Sequence, residues 1–154
     1  MDSAGIGTPE ETGVAYPRLP RVAVGAFVFK AGRILLVRRG QPPAEGSWAV
    51  PGGSVLLGES LTDAAEREVL EETGVVVKAR EVVTTFDHIE RDAAGRVRFH
   101  YVIVDLRADY LSGRVRAGGD AADARWVAAS ELPLMQVNRW TAVLLDTRFG
   151  FCAL

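Results

Sequence analysis

Apolar positions along the chain change period from segment to segment. After Arg21, the run Val22-Ala23-Val24-Gly25-Ala26-Phe27-Val28-Phe29 reads as a buried strand. Ala31-Gly32 then turns the chain into a second apolar strand, Ile34-Leu35-Leu36-Val37, and the two make a hairpin. A loop from Gly40 to Gly46 containing Pro42-Pro43 follows. Trp48-Ala49-Val50 then leads into Pro51-Gly52-Gly53, where missing side chains let backbone approach a ligand. The spacing over Leu61–Thr73 predicts a helix, with Ser60 as N-cap, Asp63 in the first turn and Gly74 as the stop. Val75–Val77, Val82–Phe86, Val97–Leu106 and Ala124–Val127 are β-rich, and Asp92-Ala93-Ala94-Gly95 is a turn between two of them. Asn138–Thr147 carries Trp140, Val143 and Leu144 at helical spacing, which predicts a second helix packed on the sheet. The order β, β, helix, β, β, β, helix implies a mixed α/β sandwich.

Residues 1–20 are rich in Gly, Pro, Glu and Thr without periodicity and read as an N-terminal arm, leaving 21–154 as a single domain. A chain of 154 residues, 48% of them apolar, suits one continuous core. The net charge of −2 and a pI near 5.7 exclude the broad basic surface needed to hold a nucleic-acid polymer, so a nucleotide ligand would be small. One cysteine, Cys152, forms no internal disulfide. No segment resembles a secretion signal or a membrane span, and a cytoplasmic location is expected.

Chemistry concentrates between Gly53 and Val75, which reads GSVLLGESLTDAAEREVLEETGV. Glu68 and Glu72 are one helical turn apart with Glu71 beside them, so three carboxylates project within roughly a third of the helix circumference. Like charges so placed weaken a helix, and a hard divalent cation with oxygen preference relieves them; Mg2+ is the natural occupant, with Mn2+ as a substitute. The bland alternative is that Glu66, Glu68, Glu71 and Glu72 form a solvated helix face. Against it stands the register of the whole segment, which resembles the signature of the Nudix hydrolase family, G-x5-E-x7-R-E-U-x-E-E-x-G-U with U aliphatic. Gly53, Glu59, Arg67-Glu68, Val69, Glu71-Glu72 and Gly74-Val75 match every specified position. At ordinary residue usage, a chance match has odds on the order of one in ten million.

The resemblance implies an α/β/α sandwich with a mixed central sheet, and a metal-dependent hydrolase that cleaves a phosphoanhydride bond in a nucleoside diphosphate linked to another moiety. It implies Glu68 and Glu72 as principal metal ligands, Glu71 as a further ligand or a base, and the Gly53 carbonyl completing the site. Arg67 is implied in support of catalysis, pairing with Glu71 or with Glu59, although an ordinary helix pair with Asp63 is also open. A further acid in such enzymes often precedes a Trp-containing strand. Gly118-Gly119-Asp120 stands in that context here, making Asp120 the candidate metal ligand with Asp123 as its competitor.

Substrate contacts are expected from Arg38 or Arg39, of which alternation lets only one reach, from Trp48 or Phe86 by stacking, and from His100 on its strand. No proline lies between Pro51 and Pro133, which weakens an assignment to the ADP-ribose subgroup; the layout resembles small mutator-type or ADP-ribose-type pyrophosphohydrolases, with a nucleoside triphosphate, a nucleotide sugar or an ADP-ribose-like compound as the implied substrate. The rival reading is a nucleotide-sensing module of the same fold that does not hydrolyse its ligand, but none of the signature acids is lost. Monomer and homodimer are both compatible with the sequence.

Overall fold

The computed structural model describes residues 15–152. Strands β1 (Arg21–Lys30) and β2 (Arg33–Arg39) form the expected hairpin. Its tight turn places Ala31 at φ 49° and Gly32 at φ 71°, the pair of positive angles whose twist matches that of the strands.

Only Phe29 and Lys30 of β1 pair with β2, opposite Ile34 and Arg33. Nearer its start, β1 pairs instead with β4 (Gly52–Ser54), Ala23–Gly25 lying antiparallel to Ser54–Gly52. Along its other edge β1 runs parallel to β6 (Val97–Ser112), and β5 (Val76–Arg91) lies antiparallel beyond. β2 continues away with β3 (Trp48–Ala49) and β7 (Ala121–Ala128) as antiparallel neighbours. The sheet is therefore mixed and forked, with β4–β1–β6–β5 on one branch and β3–β2–β7 on the other.

Alternation sorts the apolar side chains onto two faces. Val24, Ala26, Val28 and Leu35 meet Ala64, Ala65 and Val69 of helix α1 (Leu61–Thr73). Phe27, Ile34 and Leu36 meet Leu144 and Leu145 of helix α2 (Arg139–Phe149), together with Trp48 and Val127. This is the expected α/β/α sandwich, and each fully buried large apolar side chain contributes ~1.5–3 kcal/mol to it.

Three segments depart from the sequence reading. Val76–Val77 and Val82–Phe86 are parts of one 16-residue strand, β5, while Val75 precedes it in the α1-side core; the register of β5 against β6 shifts between Ala79 and Val82 and again before Thr84. Such bulges break the alternation by which a strand is read. The strands β3 and β4 are too short to carry a pattern. Of the expected arm, residues 1–14 lie outside the described residues, while Tyr16 is tied to the β5–β6 hairpin: its N–H donates to the Arg98 carbonyl at 2.7 Å and its hydroxyl to Asp92 at 3.0 Å.

Candidate active site

Helix α1 has the predicted ends. The Ser60 hydroxyl accepts the Asp63 N–H at 3.1 Å, and Gly74 terminates the helix at φ 70°. Packing of Ala64, Ala65 and Val69 on the sheet sets the helix phase, and that phase turns Glu68 and Glu72 into a cleft of about 620 Å3. Glu66 faces elsewhere, accepting the Ala79 N–H at 2.9 Å and pairing with Lys78 at 3.2 Å.

Arg67 is the hub of the acidic cluster. Its Nε and Nη2 donate to the two Glu59 oxygens at 2.6 and 3.0 Å, Nη2 also to the Ser54 carbonyl at 3.0 Å, and Nη1 to Glu68 at 2.8 Å and Glu71 at 3.2 Å. Of its three candidate partners, Glu59 and Glu71 are thus realised together and Asp63 is not. The Arg67 hydrogen bonds hold the Glu59 carboxyl below its usual range, helped by the Leu56 amide.

Glu68 and Glu72 lie against each other in the cleft wall. Burial pushes both carboxyls up, Glu72 to about 8 with the Glu68 charge adding to the effect, while the Gly52 amide and Arg39 oppose it. Gly53 belongs to the same arrangement, because the Glu68 carboxylate fills the space where a Cβ on residue 53 would stand. A buried carboxyl and a half-buried one that cannot both ionise cheaply suit a hard divalent cation with oxygen preference. Among the described residues, however, no three Asp, Glu, His or Cys side chains converge on one point. Glu71, with its side chain 53% exposed and turned to Arg67, stands apart from the Glu68–Glu72 pair, so the expected ligand set is not assembled as one group.

Asp120 reaches the cleft because its loop is pinned to the end of α1. The Arg116 and Gly118 amides donate to the Thr73 and Glu72 carbonyls at 2.8 and 3.0 Å, and the Gly40 amide to the Asp120 carbonyl at 3.1 Å. Asp123 is taken by Arg125 at 2.8 Å and does not line the cleft.

A sequence model of the NUDIX domain matches residues 19–147. The chain belongs to the Nudix family. It is 34% identical over 114 residues to a Methanocaldococcus jannaschii protein named ADP-ribose pyrophosphatase, covering 74% of this chain and 65% of that one, so it spans slightly under two thirds of that relative. It is 28% identical over 118 residues to a Danio rerio protein named oxidized purine nucleoside triphosphate hydrolase, covering 72% and 68% of the two chains. Among solved structures, a MutT NUDIX hydrolase from Burkholderia pseudomallei matches with TM-score 0.71 and 32% identity over 84% of this chain and 98% of that one.

Within this Nudix fold the expected substrate contacts divide. Arg39 lines the cleft, its Nε donating to the Pro43 carbonyl at 2.7 Å, whereas Arg38 is exposed and faces away. Trp48 is not a cleft residue: it is buried in the cluster under α2 with the Arg125 guanidinium 5.1 Å from its ring. His100 is on the wrong phase of β6, whose Tyr101, Ile103 and Asp105 face the cleft, and His88 of β5 takes its place. Phe86 lines the cleft as expected, stacked on Trp140 with ring centroids 5.0 Å apart. Sequence reasoning passed over Asp105 although a signal was present, an acid within the apolar run Val102-Ile103-Val104-Asp105-Leu106.

Proposed function

We propose that the chain is a metal-dependent hydrolase that cleaves a phosphoanhydride bond in a nucleoside diphosphate linked to another moiety. The observation that carries this reading is the placement of Glu68, Glu72 and Asp120 at one end of a cleft whose far wall holds the Phe86–Trp140 stack. A charged diphosphate and an aromatic base fit those two ends in that order.

Glu68, Glu72 and the Gly53 carbonyl would hold Mg2+, or Mn2+ in its stead, with Glu71 and Asp120 available from the sides. The bound cation would neutralise diphosphate charge and lower the pKa of an attacking water. Arg67 fixes the direction of Glu59, Glu68 and Glu71 through four hydrogen bonds, so these carboxylates need little reorganisation when substrate binds. Glu71 is the best-placed base: it is the most exposed of the three and keeps one carboxylate oxygen outside its bond to Arg67. Arg39, beside the cleft, supplies positive charge toward the phosphates.

The names of the two relatives place ADP-ribose and oxidised purine triphosphates first among the compounds to try, ahead of nucleotide sugars. The test is phosphate and nucleotide release from each compound by the purified chain, with Mg2+ and with chelator. Release that requires the metal is expected from at least one, and no release from any overturns the reading.

A further inference from the structure

Asp105 is 4% exposed, and among the described residues its carboxyl has no hydrogen-bond or ion-pair partner. Burial alone acts on its carboxyl, with neither a hydrogen-bond donor nor a cation opposing it. It lies on the floor of the cleft in the middle of β6, directly across from Gly25 of β1. Its Oδ1 occupies the place a Cβ on Gly25 would take, so the carboxyl leans over the β1 backbone rather than into the core. An unpaired buried acid costs stability and persists where a ligand satisfies it.

The surroundings say which part of a ligand that is. Gly25 pairs with both Asp105 and Gly52, so Asp105 stands two strand spacings, roughly 10 Å, from the backbone beside the Glu68–Glu72 pair. In the other direction His88 lies opposite Tyr101, four residues along β6 from Asp105 or roughly 13 Å, and its Nε2 is buried without a partner among the described residues. Asp105 and His88 are too far apart to satisfy each other. The Phe86–Trp140 stack belongs to the same stretch of cleft wall.

We propose that Asp105 is a specificity-determining residue, whose carboxylate accepts hydrogen bonds from a donor-bearing edge of the nucleoside half of the substrate while the diphosphate lies at the Glu68–Glu72 end. The inference rests on the nucleotide reading of the cleft but not on turnover. Two parts of a nucleoside present such an edge, an amino-bearing face of the base and the ribose diol. A carboxylate so placed discriminates strongly, because a ligand lacking the donor leaves it buried and unpaired.

The experiment is equilibrium binding by calorimetry, without metal, of GDP, IDP, ADP and 2′-deoxy-ADP to the wild type and to Asp105→Asn. The expected result is a wild-type preference of at least about tenfold in one comparison, GDP or ADP over IDP if a base amine is read or ADP over 2′-deoxy-ADP if the diol is read, and its loss in the variant. Equal binding of all four by the wild type overturns the proposal, even if the variant does not fold. So does no binding of any of the four, or a preference that survives in Asp105→Asn. Selective binding without metal-dependent release from ADP-ribose, the nucleoside triphosphates or the nucleotide sugars would sink the catalytic reading alone, and release with binding selectivity unaltered by the variant would sink this one alone.

Discussion

Arg67 grips Glu59 at two points, Nε to Oε1 at 2.6 Å and Nη2 to Oε2 at 3.0 Å, and the same guanidinium reaches Glu68 and Glu71. A lysine carries one compact ammonium and cannot span those directions. Arg67→Lys is therefore expected to lower kcat at least about tenfold while leaving the helical circular dichroism unchanged. Full turnover in that variant would remove Arg67 from the positioning scheme.

Glu72 ties stability to metal and pH. Its carboxyl is raised by burial and by Glu68 from an ordinary 4.5 to about 8, so between those values the folded chain holds a proton that the unfolded chain releases. Metal-free protein should thus lose stability as pH rises from 4.5 toward 8. Mg2+ should raise Tm more at pH 8.5 than at pH 5, and Glu72→Gln should blunt that difference along with at least about a tenfold loss of turnover. Scanning calorimetry at the two pH values decides it.

The buried Asp105 gives a second pH signature. Burial raises its carboxyl from 3.8 to about 6, which makes its charged form destabilising above pH 6 by an upper bound of about 3 kcal/mol. Asp105→Asn should accordingly be more stable than the wild type at pH 7.5, with the gain gone by pH 4. Parallel urea titrations at both pH values would show identical midpoints if the carboxyl carries no such cost.

Two tryptophans should respond oppositely. Trp48 is 8% exposed within the core, and Trp48→Ala is expected to cost ~3–5 kcal/mol in urea unfolding. Trp140 is 47% exposed on the cleft wall, so Trp140→Ala should leave unfolding nearly unchanged and raise KM several-fold. A large stability loss in the second variant would place Trp140 with the core.

Gly118 meets the end of α1 so closely that a Cβ would come within 2.5 Å of the Glu71 carbonyl oxygen. Gly118→Ala should displace the loop that carries Asp120, lowering both Tm and kcat. If Asp120→Asn lowers kcat alone, the loop and the carboxylate are separable.

What could be read from the chain was local. Helix α1 came out residue for residue because Ser60, Gly74 and the apolar face of Ala64, Ala65 and Val69 are signals within one turn of where they act. Glu68, Glu71 and Glu72 of the signature share that helix and were legible with it. His100 and His88 were not separable, because which of them faces the cleft depends on how bulged strands β5 and β6 align. Trp48 could not be told from a stacking residue until its neighbours Ile34, Leu36 and Leu145 were in place. That Asp120 and not Asp123 lines the cleft follows from the Arg116 and Gly118 amides, which hold the loop to the Thr73 and Glu72 carbonyls more than forty residues away in sequence.

The fork in the sheet has a mechanical consequence. Glu68 and Glu72 are carried by the branch of β1 and β4, while Arg39 and the Gly40–Gly46 loop hang from the branch of β2, and the hairpin pairs at Phe29 and Lys30 join β1 directly to β2. Lengthening or shortening that loop beyond Gly40 alters the span of the cleft without touching Glu68 and Glu72. Ligand size and bond-breaking chemistry can therefore diverge independently on this scaffold.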